Sequence, residues 1–243
     1  MIFFKKNLNI GNYDFLGVDM HNHILPGIDD GAKDVNASLY LLESLKKLGI
    51  SKVIPTPHTM HQLYPNNAVT IETAYKSIST TVKTEPDKYP GIIGYSSEYL
   101  LDDQFPLLRE SKQLLGFAHN HVLIEMSYAA ASPILEEEIY QLQLAGYTPI
   151  LAHPERYNYL HGNFNYYENL VRRGCQFQLN LISLTDYYGK DVQKNALKLL
   201  DMQLYHWAGT DAHHEGHIEL LNQLLRSKHI HKLRDYEFKN QMI

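Results

Sequence analysis

The sequence predicts a parallel α/β fold, a small distorted (β/α)7 barrel of TIM-like type forming one domain over residues 1–243. Two observations carry that expectation. Short runs rich in Val, Ile and Leu alternate with amphipathic stretches along the whole chain. A glycine closes the amphipathic stretch before several of these runs: LLESLKKLG leads into ISKVIPTPH, EEEIYQLQLAG into YTPILAHPER, and YYENLVRRG into CQFQLNLIS. Gly49, Gly146 and Gly174 stand where helices end on a left-handed residue. The runs that follow are too short for helices and read as buried parallel strands.

Taken in order, the seven strands are expected at residues 15–20, 52–56, 91–96, 122–125, 148–152, 176–181 and 204–209. A helix over 36–48 places Leu39, Leu42, Leu45 and Leu48 on one face. Another opens at Ser132-Pro133, a good N-cap followed by proline at the first helical position, and runs to Ala145. No linker or repeat divides the chain.

Composition narrows the function. With 22 Lys+Arg against 27 Asp+Glu, the net charge of −5 argues against a nucleic-acid binder. One cysteine rules out an internal disulfide and any cysteine-based metal site. No apolar run approaches the roughly 18–20 residues that span a bilayer, so direct membrane insertion is not expected. The opening MIFFKKNLNIGNYDF lacks the apolar core of a signal peptide, and a cytoplasmic location is expected. The unusual count is 14 histidines against 6 arginines (109, 156, 172, 173, 226 and 234).

In a barrel, active residues come from the C-terminal ends of the strands. Strand one ends in Asp19-Met-His21-Asn-His23, followed by Asp29-Asp30-Gly31, and strand two in Thr56-Pro-His58. Glu98-Tyr99 follows strand three, strand four closes on Glu125, and strand five ends in His153-Pro-Glu155-Arg156. Strand seven ends in Asp211-Ala-His213-His214. Alternation puts residues i and i+2 on one side, so His21 with His23, and Asp211 with His213, can share ions. Such a set exceeds one tetrahedral zinc site and suits two or three ions, Zn, Mn or Fe.

Several residues read more plainly. Asp19 has the opposite parity and fits support as well as coordination. Asp30 is taken as a ligand and Asp29 as part of the turn. Glu155 divides between a direct role and orienting Arg156. His119-x-His121 precedes strand four and belongs on the opposite face. His61, His161, His206, His229 and His231 have no motif context, and His214 and His217 stay open. Cys175 has Leu181, not arginine, six positions on, and reads as packing.

D-x-H-x-H, T-P-H, E-x-Y, H-P-E-R-Y and a late D-x-H together resemble the polymerase-and-histidinol-phosphatase family. Within it, HNHILPGIDDG and HPERY are similar to bacterial protein tyrosine phosphatases linked to capsule and exopolysaccharide synthesis. The similarity runs from about Phe15 to His214. It implies a distorted (β/α)7 barrel with a trinuclear centre of divalent ions, manganese favoured. One ion would take His21, His23, Glu98 and Asp211; a second Glu98, Glu125 and His153; a third Asp30, His58 and His213. Glutamate at 125, histidine in many relatives, supports the capsule-type subgroup. Arg156 would contact the substrate phosphate. The stretch after the last D-x-H reads HEGHIELL, without the arginine of some relatives, and His217 is the nearest candidate acid.

The resemblance implies hydrolysis of phosphotyrosine, with ions neutralising the dianion and lowering the pKa of a bound water towards about 7. Arg156 supplies a planar, permanently charged fork, and Tyr64, Tyr99, Tyr128 and Tyr157 are candidates to flank the ring. The implied partner is the tyrosine-rich tail of a membrane-associated kinase; an oligomer is compatible. The rivals are a histidinol-phosphate phosphatase, an amidohydrolase and a non-enzymatic metal-binding barrel. An amidohydrolase would want a carboxylated lysine where Glu125 stands.

Overall fold

Two prolines shape the sheet. The computed structural model describes residues 11–243, so residues 1–10, read above for a leader, lie outside the described residues. The elements follow as β1 (Val18–Asp19), α1 (Val35–Lys47), β2 (Lys52–Val53), β3 (His58–Thr59), α2 (Ala68–Thr84), β4 (Gly91–Ile92) and β5 (Glu98–Leu100). Next come α3 (Phe105–Glu110), β6 (His121–Glu125), α4 (Leu135–Leu144), β7 (Thr148–Ala152), α5 (Phe164–Arg172) and β8 (Gln176–Asn180). The last are α6 (Lys190–Asp201), β9 (Trp207–Gly209), α7 (Glu215–Leu225) and α8 (His229–Arg234).

All strands pair in parallel, in the orders β1-β2-β4 and β3-β5-β6-β7-β8-β9. The strands expected at 52–56 and 91–96 therefore shorten to β2 and β4, and each is followed by a separate strand, β3 and β5, beyond its expected end. β2 and β4 join β1, while β3 pairs with β5 and β5 with β6. Pro55 and Pro57 have no N–H to donate, so a regular ladder cannot run through them. Single rungs persist, from Ser96 N to Pro55 O (2.9 Å) and from Glu98 N to Pro57 O (3.0 Å). At the other margin Asp211 N donates to His21 O (2.8 Å) and His23 N to Ala212 O (3.0 Å), joining the ends of the first and last strands. The result is a curled parallel sheet.

Both faces of that sheet are apolar, as parallel strands require. Val122, Ile124 and Leu151 enter the large core under the helices. Leu123, Ile150, Ala152 and Trp207 point the other way, into a smaller cluster with Val18, Met20, Ile54 and Phe117. Burying each such large side chain contributes roughly 1.5–3 kcal/mol. Leu123 and Glu125 share a face by alternation, so the inner surface passes from hydrocarbon to carboxylate along one strand.

The helices match with two shifts. Asp34 caps α1 by accepting from Ala37 N (2.9 Å), so the helix starts one residue early at Val35, and Leu42, Leu45 and Leu48 are buried with Leu39 at the margin. α4 begins after the expected Ser132-Pro133 start, because Ser132 Oγ donates to Leu101 O (3.1 Å) and gives no cap. Gly49 and Gly146 end their helices at φ +93° and +84°.

The segment after α8, to which the sequence assigns no role, closes the lower seam. Asn240 is fully buried. Its amide donates to Val18 O and Ala208 O, both at 2.7 Å, and its carbonyl accepts from Ala208 N (3.0 Å). One side chain thus stands in for a ladder rung between β1 and β9. Asn240→Ala leaves buried backbone groups unsatisfied and is expected to cost about 2–3 kcal/mol, read as a lower urea midpoint at unchanged slope.

Candidate metal centre

All nine expected ligands meet at the C-terminal end of the sheet, around a cavity of ≈ 410 Å³. Four groups converge, each with ligand atoms within 4.8 Å of one another: His23, Asp30, His58 and His213; His21, His23 and Asp211; His21, Glu98 and His153; His58, Glu98 and Glu125. Glu98 is the hub. Its Oε1 lies 2.9 Å from His153 Nε2, while its Oε2 lies 3.2 Å from His21 Nε2, 3.4 Å from His23 Nε2 and 3.1 Å from His58 Nδ1.

The grouping differs from the expected one: Glu98 joins His21 with His153 and His58 with Glu125 instead of the His21, His23 and Asp211 set, and His23 also joins Asp30, His58 and His213. Glu98, Glu125 and His153 do not converge as a trio among the described residues; His153 sides with His21, and Glu125 Oε1 lies 2.9 Å from His58 Nδ1. His58 therefore presents Nδ1 to the Glu98–Glu125 pair and Nε2 to Asp30, 3.5 Å away.

Surrounding groups fix the rings. His21 Nδ1–H donates to Gln178 Oε1 (2.8 Å) and His23 Nδ1–H to Asp29 Oδ2 (2.8 Å), leaving both Nε2 lone pairs aimed at the centre. His213 Nδ1–H donates to Asp211 O (2.8 Å), which turns its Nε2 towards Asp30. Asp29 thus does more than shape the turn: it also accepts from His58 N (3.1 Å) and Gly31 N (2.9 Å). Gln178 additionally accepts from His153 N (3.2 Å). Asp211 divides its oxygens, Oδ1 facing His21 and His23 while Oδ2 accepts from Arg156 (3.0 Å) and Asn180 (2.7 Å). His153 (φ +34°) and Asp211 (φ +51°) sit in the left-handed region, strain that clusters where side chains must be aimed.

Asp19 does not face the cluster. It accepts from Thr210 N (2.9 Å) and Thr210 Oγ1 (2.6 Å), tying strand one to the last strand, and burial raises its pKa to about 6. Glu155 does not reach Arg156 either; it accepts from Asn180 N (3.0 Å) and the Tyr205 hydroxyl (2.9 Å). His121 packs on Phe117 and Trp207 at the start of β6, on the opposite face as expected. Cys175 is buried, its thiol pushed up to about 12 by burial, in keeping with packing.

Of the aromatic candidates, Tyr64 and Tyr128 line the cavity. Tyr99 is a correction: strand alternation turns it away from Glu98 into the core, where it packs on Phe105 and its hydroxyl accepts from Leu115 N (2.8 Å). Tyr157 is likewise buried, bonded to Met126 N and Ala152 O. Arg156 lies against the rings of Tyr128 (4.5 Å) and Tyr188 (4.0 Å), cation–π contacts that hold the guanidinium in the cavity wall. His217 lines the same wall, and burial lowers its pKa to about 4 despite Asp211 nearby, so the neutral ring is the form present near pH 7. Met60, Leu63, Tyr187, Tyr188 and His214 also line the cavity without having been singled out as site residues; their spacing carries no motif.

The donor set fits divalent cations. His58 Nδ1, Glu98 Oε2 and Glu125 Oε1 are buried and face one another without a hydrogen bond that satisfies them. In the metal-free protein protons do the compensating. Burial and His23 push the His58 pKa down, but Glu125 and Glu98 outweigh them and raise it to about 10. Burial would raise Glu98, yet His21 and His58 hold it well below the usual carboxylate range.

Two outcomes are expected. Metal binding displaces protons, so calorimetry in buffers of different ionisation enthalpy should show proton release at pH 7 and tighter binding as pH rises. The sign follows from His58: its raised pKa stabilises the metal-free fold fully below about 6.5, and this is lost as pH climbs through about 10. Metal affinity unchanged between pH 6 and 8 would contradict it. Asp29→Ala, which frees the His23 ring, should weaken metal binding about 10–100-fold by titration.

Known proteins resemble this chain in sequence and in fold. Tyrosine-protein phosphatase YwqE of Bacillus subtilis is 30% identical over 203 residues, covering 81% of this chain and 77% of that protein. A crystal structure of YwqE from Bacillus subtilis and CpsB from Streptococcus pneumoniae, described as metal-dependent tyrosine phosphatases, matches with TM-score 0.76 at 28% identity, over 88% of this chain and 90% of that chain. An amidohydrolase from Mycoplasma synoviae, at 14% identity, TM-score 0.54 and coverage of 93% of this chain and 87% of that one, shares the fold alone. The profile of the family described as capsular polysaccharide synthesis, CpsB/CapC, matches residues 17–230, and the chain belongs to that family.

Proposed function

We propose that this chain is a metal-dependent phosphatase that hydrolyses phosphotyrosine in proteins and regulates capsule or exopolysaccharide synthesis. The observation that carries it is Arg156, held by Asp211 and two tyrosine rings in the wall of the cavity that contains the four ligand groups. A guanidinium beside convergent imidazoles and carboxylates suits a phosphate dianion.

Two to three divalent ions, manganese favoured, would be held by His21, His23, Asp30, His58, Glu98, Glu125, His153, Asp211 and His213. Bound there, they neutralise the dianion and supply an attacking water acidic enough for neutral pH. The chain's own residues do the rest. Glu98 spans the groups and fixes their spacing. Arg156 keeps one arm on Asp211 and offers the other to a phosphoryl oxygen. Neutral His217 holds its Nδ1 between His213 N (3.2 Å) and Asp211 O (3.1 Å), and its ring in the cavity wall is the candidate to donate to the leaving oxygen. A phenol departs as a reasonable anion (pKa about 10), so a strong acid is not needed.

The remaining parts of the reading are that the two sheets form one distorted (β/α)7 barrel and one domain, that the substrate is the tail of a membrane-associated tyrosine kinase, and that the enzyme acts in the cytoplasm. The seams at Asp211–His21 and Glu98–Pro57 support the barrel. An amidohydrolase is disfavoured, since no lysine lines the cavity.

A metal-screened assay on phosphotyrosine, phosphoserine and histidinol phosphate tests the function. Chelation should abolish turnover, and phosphotyrosine should be preferred. Arg156→Ala should lower kcat by about 10²–10³, with His153→Ala at least as damaging in kcat or metal content. Wild-type turnover by both variants, or activity that survives chelation, would sink this reading.

A further inference from the structure

Tyr187 stands at the cavity mouth without a packing reason to be there. Its side chain belongs to a residue 51% exposed, edge-on to Tyr188 (4.8 Å, 70°) and to His217 (5.6 Å, 81°). The loop beneath it is braced: Tyr187 N donates to Thr185 Oγ1 (3.2 Å), and Gly189 N closes a turn on Asp186 O (2.9 Å). Gly189, at φ +98°, then starts α6.

Rings and guanidinium form a continuous row along one wall: Tyr128, Arg156, Tyr188, Tyr187, with His217 beside the last. Tyr128, 47% exposed, ends the row on the other side of Arg156. Three of the four ligand groups are buried at the cavity floor, while the fourth reaches the surface at Asp30. A phosphoryl group between that floor and Arg156 turns its ester substituent outward, along a wall that carries these rings. An alkyl ester offers them a methylene; a phenyl ester offers a face and an edge.

We propose that Tyr187, with Tyr128, receives the aromatic ring of an aryl phosphate, and that Tyr187 sets the preference for aryl over alkyl phosphomonoesters. This rests on the phosphatase reading above and deepens it. Tyr188 is a positioning residue in the same row, since it touches Arg156 and not the path of the ester.

The test measures binding as well as turnover, with metal-loaded wild type, Tyr187→Ala and Tyr187→Phe. Calorimetry compares phenylphosphonate with methylphosphonate, neither of which is hydrolysed, and kinetics compares phosphotyrosine with phosphoserine peptides. Wild type should prefer the aryl ligand. The aryl-to-alkyl affinity ratio should fall several-fold, up to about tenfold, in Tyr187→Ala and be retained in Tyr187→Phe. The same ratio in all three proteins overturns the proposal, as does a loss in Tyr187→Phe equal to that in Tyr187→Ala. A wild-type chain inert on every phosphomonoester that still prefers phenylphosphonate would remove the phosphatase reading and keep the aromatic slot.

Discussion

Glu98 is the constraint around which the rest is arranged. It is a fully buried carboxylate whose two oxygens approach four imidazoles from three different strand ends. A charge in that position is tolerable only if opposite charge surrounds it closely, and each compensating ring must itself be held. The sheet has to curl so that residues 21, 23, 58 and 153 reach one carboxylate. Breaking the ladder at Pro55 and Pro57 lets the chain pass from one sheet to the other at the level of the cluster.

The outer layer explains why the cluster keeps its shape. Gln178 serves two strands at once, bonding His21 and the backbone of His153. Asp29 links the loop after β1 to the entry of β3. Asn180 and Arg156 share one oxygen of Asp211 and leave the other free for the centre. Removing one of these supports leaves every ligand present but poorly aimed, which separates their effect from that of the ligands.

Much of this was legible in the sequence. Most of the candidate ligands could be read because they sit at or just beyond the end of a short apolar run, where chain order and alternation place them; Asp30, in the loop after β1, is the exception. Tyr99 was misread for the same reason: with Glu98 facing inward, alternation alone sends its neighbour into the core. Gln178 carried a weaker signal, one of three polar residues at alternating positions of the QFQLN strand. Asp29 was ambiguous because one carboxylate performs both turn and orienting roles. Tyr187, Tyr188 and Asn240 carried none, since their partners are brought to them only by the fold. The shortening of two strands was readable in part from Pro55 and Pro57, but the exchange of partners between sheets was not.

The seam between first and last strands has a consequence for the order of events in folding. Asp19 and Thr210 are bonded across 191 positions of sequence, and Asn240 reaches Val18 across 222. Loop closure on that scale comes late, after local helix–strand units have formed. A chain emerging from the ribosome can therefore assemble its central strands while His21 and His23 still lack Asp211 and His213. The cluster is completed by the final contacts of folding, so ions loaded before that moment would meet only part of the cage.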